Sequence, residues 1–272
     1  MASSVRAPGP APVVAKSVQA NAGIEAYYRR ELDRLVREMQ DSLVYWLTAQ
    51  WRDNTPEMYA QDASPAAALR AAMAKLSNRW MRNFDKGADK LAKLFADKTL
   101  KYSDVAMAKT LRDIGLSVQF KMTPLMQDAY SAIIGEQVGL IRSIAANHLA
   151  QVETVVMQGV QTGRDLQFIH DQLRERFGIT KRRAALIARD QSNKATSTIT
   201  RVRQLDLGIT EARWRHSGAG KEPRPEHVEA NGKKYDLKKG MYLEGVWTWP
   251  GVEINCRCTS EPIIPGFDDD EE

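Results

Sequence analysis

Amphipathic helical periodicity covers most of the first 208 residues, and it constrains the fold more than any other feature of the chain. From Ile24 to Trp51 apolar residues recur at steps of three and four, which predicts a long helix. A second stripe follows Ser64-Pro65, where serine supplies an N-cap and proline the first helical position. The two stripes are Tyr28, Leu32, Leu35, Val36, Met39, Leu43, Trp46 and Leu47, and Leu69, Met73, Leu76, Trp80, Phe84, Leu91 and Leu94.

Further helices are expected up to Gly208, because caps, prolines and glycines divide the pattern into segments. Thr123-Pro124 opens one of them with a cap followed by a proline. Residues 116–122 alternate apolar and polar side chains, which indicates a brief extended stretch. The expected segments are a short helix from Ser103 to Gly115, one from Pro124 through Ile141, one at 149–162 closed by Gly163, one at 165–177 closed by Gly178, and one from Thr180 to Gly208.

The pattern changes after Gly208, where short alternating runs replace helical periodicity. Residues 212–216, 246–249 and 254–264 are predicted to be strands, and Asn231-Gly232 is a turn dipeptide. We therefore predict a mainly α fold, a long-helix body with a small C-terminal α+β domain of short strands and loops. The predicted divisions are a flexible N-terminal arm at 1–22, a helical region at 23–115, a second helical part at 116–208, the small domain at 209–264 and an acidic tail at 265–272.

The charge of the chain is unevenly distributed. The formal net charge is +5, yet the last five residues are all acidic, so residues 1–267 hold 39 basic against 29 acidic side chains. A basic body of this kind favours contact with a polyanion, although many proteins without such a partner are also basic. No apolar run approaches the roughly 20 residues of a membrane span. Two cysteines are too few for a disulfide scaffold, which favours a reducing compartment such as the cytoplasm.

Basic residues are densest between Arg174 and Arg215, where eleven Lys or Arg stand against four acids. One interpretation is a solvated helix face. The other is a face that contacts DNA phosphates, since Lys and Arg gain affinity there by releasing counterions. The candidates for DNA contact are Lys181, Arg182, Arg183, Arg189 and Arg203.

Both cysteines, two of the four histidines and three of the six tryptophans fall within residues 214–258. Cys256 and Cys258 lie one residue apart, which in a strand places both side chains on one face. Together with His216 and His227 they could bind zinc tetrahedrally. Structural zinc sites usually separate their cysteines by two to four residues, so the alternative is a pair of reduced packing residues.

Catalytic interpretations of the same residues find less support. A cysteine nucleophile with His227 as its base lacks any sign of activation. An endonuclease of the His-Asn-His kind would use His227 and Asn255, but no helical pattern follows Asn255. Hydrogen bonds from Arg224, His227 and Asn255 to loop backbone would instead tie together a domain whose apolar core rests on its tryptophans. We therefore expect no enzymatic activity.

The order of motifs resembles phage head morphogenesis proteins of the phage Mu F type. The resemblance spans residues 120–260 and begins with Ile187-Ala-Arg-Asp190, Asn193 and Leu207-Gly208-Ile209. It continues with Trp214-x-His216 and closes on the specific sequence Ile254-Asn-Cys-Arg-Cys258. The positions expected to form its structural motif are Arg224, His227, Asn231, Gly232, Pro250, Gly251, Asn255, Cys256 and Cys258.

This resemblance implies a non-enzymatic minor head protein of a tailed phage or prophage. Such a protein lies inside the head near the portal and takes part in procapsid assembly and in DNA packaging or ejection. The implied partners are the portal protein, the major capsid or scaffold protein and packaged double-stranded DNA. No cofactor is certain, and zinc remains possible. The alternatives are a zinc-dependent nucleic-acid-processing protein and a plain DNA-binding accessory protein.

Overall fold

The computed structural model describes residues 11–53, 65–161, 166–218 and 222–265. Within them the chain is mainly helical, with short antiparallel strands near its C-terminal end, which confirms the predicted fold class. Ser64, Gly163 and nearly all of the acidic tail lie outside the described residues. The elements are β1 Val13–Val14, α1 Ala22–Asp53, α2 Pro65–Arg112, α3 Pro124–Gln161, α4 Leu166–Asp206, β2 Glu211–Arg215, α5 Pro225–Glu229, β3 Lys234–Asp236, β4 Met241–Leu243, β5 Val246–Thr248 and β6 Thr259–Ile264.

The two predicted apolar stripes form the buried faces of α1 and α2. The fully or nearly fully buried members in α1 are Tyr28, Leu32, Val36, Met39, Leu43 and Leu47. Trp46 departs from the pattern, because its side chain is 45% exposed. Burial of an apolar face stabilises long helices of this kind more than intrinsic propensity does. The described part of α2 continues the same arrangement through Phe84 and Phe95.

The long helices are less interrupted than the sequence suggested. The helix predicted to start at Ser103 does not exist, since α2 continues to Arg112 and Ser103 is buried inside it. Helix α4 likewise passes through Gly178 without a break. A glycine inside a helix costs about 1 kcal/mol relative to alanine, which the buried face of a long helix can offset. The cap residue Ser103 and the glycine Gly178 therefore predicted helix ends that do not occur, because packing of the buried helix faces keeps both helices continuous.

Other helix ends lie where the sequence predicted them. Gly208 has a φ of +75°, and the N–H of Ile209 donates to the carbonyl of Gln204 at 3.0 Å. This is a Schellman motif, which needs a left-handed residue and therefore favours glycine. At the start of α3 the backbone N–H of Met126 donates to Oγ1 of Thr123 at 3.1 Å, so the predicted cap is confirmed.

Four strands form an antiparallel sheet in the order β1-β6-β2-β3, and β4 and β5 form a separate hairpin. In β2 the side chains of Ala212 and Trp214 are buried, as the alternation predicted. Strand β1 lies within the predicted flexible arm, but Val13 pairs with Ile264 and Val14 with Ile263. The expectation for residues 13–14 was therefore wrong, because a β-sheet partner from the other end of the chain holds them.

The described chain divides into two compact units that differ from the predicted boundaries. Unit 1 contains residues 1–21, 97–132 and 190–272, and unit 2 contains 22–96 and 133–189. The division falls within α2, α3 and α4. Unit 1 has a core centred on Trp214 and Tyr235, to which Met107 and Leu111 of α2 contribute. Among the described helices, none is long and apolar enough to span a membrane.

Unit 2 contains a buried polar network around His148. Its Nδ1 bonds to Oγ1 of Thr180 at 2.8 Å and its Nε2 to Oε1 of Gln40 at 3.1 Å. The amide nitrogen of Gln40 donates to the carbonyl of Leu173, so its oxygen is the end that accepts from His148. The proton of the neutral ring therefore belongs on Nε2. Burial lowers the pKa of His148 to about 4, because the charged ring would lose its hydration.

We expect His148 to destabilise the protein as the pH falls. The folded pKa lies below the unfolded value of about 6.5, so the unfolded chain takes up a proton first. The contribution is fully present above that value and is lost progressively towards pH 4, by about 3 kcal/mol in total. Denaturant unfolding at several pH values should show that the free energy of unfolding falls less steeply with decreasing pH in His148→Gln than in the wild-type protein. His170→Gln is the matched control, since it removes the other histidine of unit 2, and an equal change there would contradict the assignment.

Candidate functional site

His227 is the buried residue of the short helix α5, and its side chain is only 2% exposed. Pro225 occupies the start of this helix, where a missing backbone N–H costs nothing. The ring of Trp214, the largest fully buried side chain, meets the His227 ring edge to face with centroids 5.1 Å apart. Strand β2 and α5 thus position His227 in the core of unit 1.

Cys256 and Cys258 follow a tight turn and lead into β6. Asn255 adopts a left-handed φ of +61°, and its backbone N–H donates to Oδ1 of Asp190 at 2.7 Å. Gly251 also has a positive φ, and a Cβ there would lie 3.1 Å from the carbonyl oxygen of Cys258. Glycine therefore permits the close approach at the Pro250-Gly251 turn. Both cysteines are buried and reduced, at 5% exposure each.

His227, Cys256 and Cys258 meet in what we call the His/Cys cluster. Nδ1 of His227 lies 3.5 Å from Sγ of Cys256 and 3.9 Å from Sγ of Cys258. All of their metal-ligating atoms lie within 4.8 Å of one another. The sequence predicted these three residues as ligands, and the structure brings them together. Both cysteines lie in the short segment between the turn at Asn255 and β6, and Cys256 comes directly after that turn.

The two sulfurs influence each other strongly. The hydrogen bond with Cys258 lowers the pKa of Cys256, and the backbone N–H of Gly251 favours the same thiolate from 3.4 Å. The hydrogen bond with Cys256, together with burial, raises the pKa of Cys258. Of the two sulfurs, that of Cys256 is therefore the more readily ionised. A thiolate in this position is the form of cysteine that binds metals.

His216, the fourth predicted ligand, lies outside the His/Cys cluster. Its backbone N–H donates to Oδ1 of Asn231 at 2.9 Å, and its Nδ1 accepts from the N–H of Gly218 at 3.1 Å. Gly232, with a φ of +80°, continues this turn by donating its N–H to the carbonyl of Trp214. The predicted motif residues Asn231 and Gly232 thus fasten the end of β2 to the turn that follows α5.

Arg224 joins the loop before the cysteines to the β4–β5 hairpin. Its Nη2 donates to the carbonyl of Ile254 at 3.1 Å, and its Nε lies 3.1 Å from Oε2 of Glu244. Oε2 of Glu226 accepts from the backbone N–H of Glu244. Sequence reasoning missed Glu226 and Glu244 as supports of this region. Asp190 belongs to the motif that carries the resemblance, but its contact with Asn255, 65 positions away, was not predicted.

Residues 150–261 match the family described as Phage Mu protein F like protein. This segment is therefore similar to the Mu F-like family. It includes the whole of α4 and the whole His/Cys cluster, and the matched family is associated with phage head morphogenesis. An uncharacterized protein of Haemophilus influenzae is 24% identical over 254 residues, which is 92% of this chain and 55% of that protein. The chain thus spans about half the length of this relative. No solved structure matches the chain.

The predicted DNA-contact residues have different environments. Arg182 and Arg183 are exposed on α4, and Arg183 donates to Oγ of Ser143 at 2.9 Å. Lys181 is half-buried above the ring of Phe177, with Nζ 5.6 Å from its centroid. Arg189 is also half-buried. These four remain candidates, with Arg182 and Arg183 the most accessible of them.

Arg203 does not belong to this set. Its side chain is 3% exposed, and its Nε and Nη2 donate to the two carboxylate oxygens of Asp104 at 2.8 and 2.9 Å. Its guanidinium carbon also lies 4.9 Å from the centroid of the Phe120 ring. A buried, bidentate guanidinium cannot contact a phosphate without breaking this pair. The expectation of DNA contact at Arg203 was therefore wrong, and the residue has a structural role.

Proposed function

We propose that the protein is a structural minor head protein of a tailed phage or prophage. It lies inside the head near the portal and acts in head assembly and in DNA packaging or delivery. The observation that carries this proposal is the Mu F-like match over residues 150–261, together with the family's support for head morphogenesis. Arg224 and Asn231 form hydrogen bonds with loop backbone within unit 1, which supports a structural role for the motif. His227, expected to do the same, instead meets the two cysteine sulfurs.

The β4–β5 hairpin supplies a candidate surface for contact with the portal, capsid or scaffold protein. Tyr242 and Trp247 are directly cross-strand partners, their ring centroids lie 5.6 Å apart, and their side chains are 59% and 60% exposed. Val246, beside them, is 49% exposed. Exposed aromatic side chains in a group are typical of protein–protein interfaces. We therefore assign the partner contact to this hairpin.

The exposed face of α4 supplies a second candidate surface, for packaged DNA. Arg182 and Arg183 are adjacent exposed arginines on α4, and guanidinium groups are well suited to hydrogen-bond phosphate oxygens. Contacts of this kind neutralise phosphates without reading the base sequence. That property fits a protein that meets packaged DNA of any sequence. Among the described residues, the buried His/Cys cluster favours a structural role over a nucleic-acid-processing one.

Procapsids that carry variants of the protein test both surfaces. Tyr242→Ala/Trp247→Ala should prevent incorporation into heads, whereas Arg182→Gln/Arg183→Gln should permit incorporation but lower DNA content. Val105→Ala is the matched control, because Val105 is a hydrophobic side chain of unit 1 that is 65% exposed. Quantitative mass spectrometry of purified heads and measurement of their DNA give the readouts. Heads made without the protein that keep normal portal incorporation, DNA content and infectivity would rule out the assembly role.

A further inference from the structure

The polar surroundings of His227 differ from those of an ordinary buried histidine. Its Nδ1 meets only the two sulfurs, at 3.5 and 3.9 Å, and its Nε2 has no hydrogen-bond partner in the described structure. Buried histidines are normally satisfied by oxygen or water partners. His148 provides the comparison within this chain, since both of its ring nitrogens bond to side-chain oxygens. Hydrogen bonding alone therefore does not account for the position of the His227 ring.

The distances in the His/Cys cluster match those between ligands on one metal ion. Zinc bonds of about 2.3 Å to sulfur and about 2.0 Å to nitrogen, at tetrahedral angles, separate nitrogen from sulfur by about 3.5 Å. The observed separations are 3.5 and 3.9 Å, and all ligand atoms lie within 4.8 Å of one another. An ion placed among them would thus need only small side-chain adjustments.

We infer that His227, Cys256 and Cys258 form a binding site for a zinc-class divalent cation. Two cysteine sulfurs and one imidazole nitrogen are a ligand set that suits zinc. The backbone N–H of Gly251 points to Sγ of Cys256 at 3.4 Å, a contact that supports a ligating sulfur from outside the ligand set. The Cys-x-Cys spacing is shorter than that of most structural zinc sites, but the turn at Asn255 brings both sulfurs to the same side.

The site is structural. The three ligand residues are at most 5% exposed, so a substrate cannot reach an ion held among them. The ion would join α5 to the segment before β6, two parts of a small domain that has limited apolar surface to bury.

Metal analysis of the full-length protein, purified without chelator, tests this inference. Wild-type protein should contain about one zinc ion per chain, and Cys256→Ser, Cys258→Ser and His227→Gln should each contain roughly a tenth of that or less. His216→Gln is the matched control and should retain zinc, because His216 lies outside the cluster. Loss of zinc from His216→Gln would overturn the three-ligand set.

A second measurement uses wild-type protein alone, so it does not depend on the folding of the variants. Removal of zinc with a chelator should lower the melting temperature, and added Zn²⁺ should restore it. Co²⁺ in place of Zn²⁺ should give the sulfur-to-metal charge-transfer absorption of a thiolate-bound ion. A zinc-free protein whose melting and absorption do not respond to Zn²⁺ or Co²⁺ would overturn the proposal, as would a Cys256–Cys258 disulfide in freshly purified protein.

Discussion

Trp214→Ala is expected to lower the free energy of unfolding of the small domain by about 3–5 kcal/mol. The indole is fully buried, and it contacts the rings of His227 and Tyr235 at centroid distances of 5.1 and 6.1 Å. Its removal leaves a cavity that a close-packed core fills only in part, so both the lost burial and the cavity contribute. Hydrogen exchange of peptides from residues 209–264, followed in denaturant, measures the change.

Trp247→Ala is the matched control for this experiment. It deletes the same side chain from the same domain, but at a position that is 60% exposed. We expect a change within about 0.5 kcal/mol, as for most surface substitutions. Equal destabilisation by the two variants would mean that Trp214 does not organise the core. Trp214→Ala should also weaken zinc retention, whereas Trp247→Ala should not.

Arg203→Met is expected to destabilise the protein by about 3 kcal/mol, the lower end of the range for breaking a buried ion pair. The lower end applies because Asp104 keeps 24% of its side-chain exposure and some hydration. The substitution leaves Asp104 without its bidentate partner and the carbonyl of Lys121 without the donor Nη1 of Arg203. Denaturant unfolding with a circular dichroism readout measures the loss.

Two controls separate the burial of this pair from its charge. Arg142→Met breaks an exposed pair with Asp85, in which both side chains are 46% exposed, and should cost less than about 1 kcal/mol. The double variant Asp104→Asn/Arg203→Met should recover part of the stability lost in Arg203→Met, because it removes the unpaired charge. A double variant less stable than Arg203→Met would refute the explanation by an uncompensated carboxylate.

Local signals in the sequence were sufficient for the elements whose ends depend on local geometry. The stripe from Tyr28 to Leu47 predicted the buried face of α1, and Gly208 and Thr123 marked ends that short-range hydrogen bonds create. Local signals were insufficient where tertiary packing determines whether a helix ends or continues. Ser103 resembles a helix cap in the sequence, but inside α2 it is a buried residue of a continuous helix.

The sequence predicted which types of residue form the candidate site. It was less successful in predicting which individual residues belong to it. Cys256, Cys258 and His227 stand out because metal-ligating side chains are rare in this chain. His216 has the same chemistry, and only the three-dimensional arrangement places it elsewhere. Arg203 shows the reverse case, a residue that the sequence analysis assigned to a functional surface but that is buried in the fold. The density of basic residues predicted an accessible position for it, but Arg203 and its neighbours Val202 and Gln204 are all buried, so this part of α4 is covered on more than one face.

The pairing of Val13 with Ile264 has a consequence for the order in which the protein forms during synthesis. At translation rates of about 5–20 residues per second, β1 waits on the order of tens of seconds for its partner strand. All segments of unit 2 have been synthesised once residue 189 is made, well before β6. Among the described elements, the sheet that pairs β1 with β6 therefore closes only after every segment of unit 2 has been synthesised.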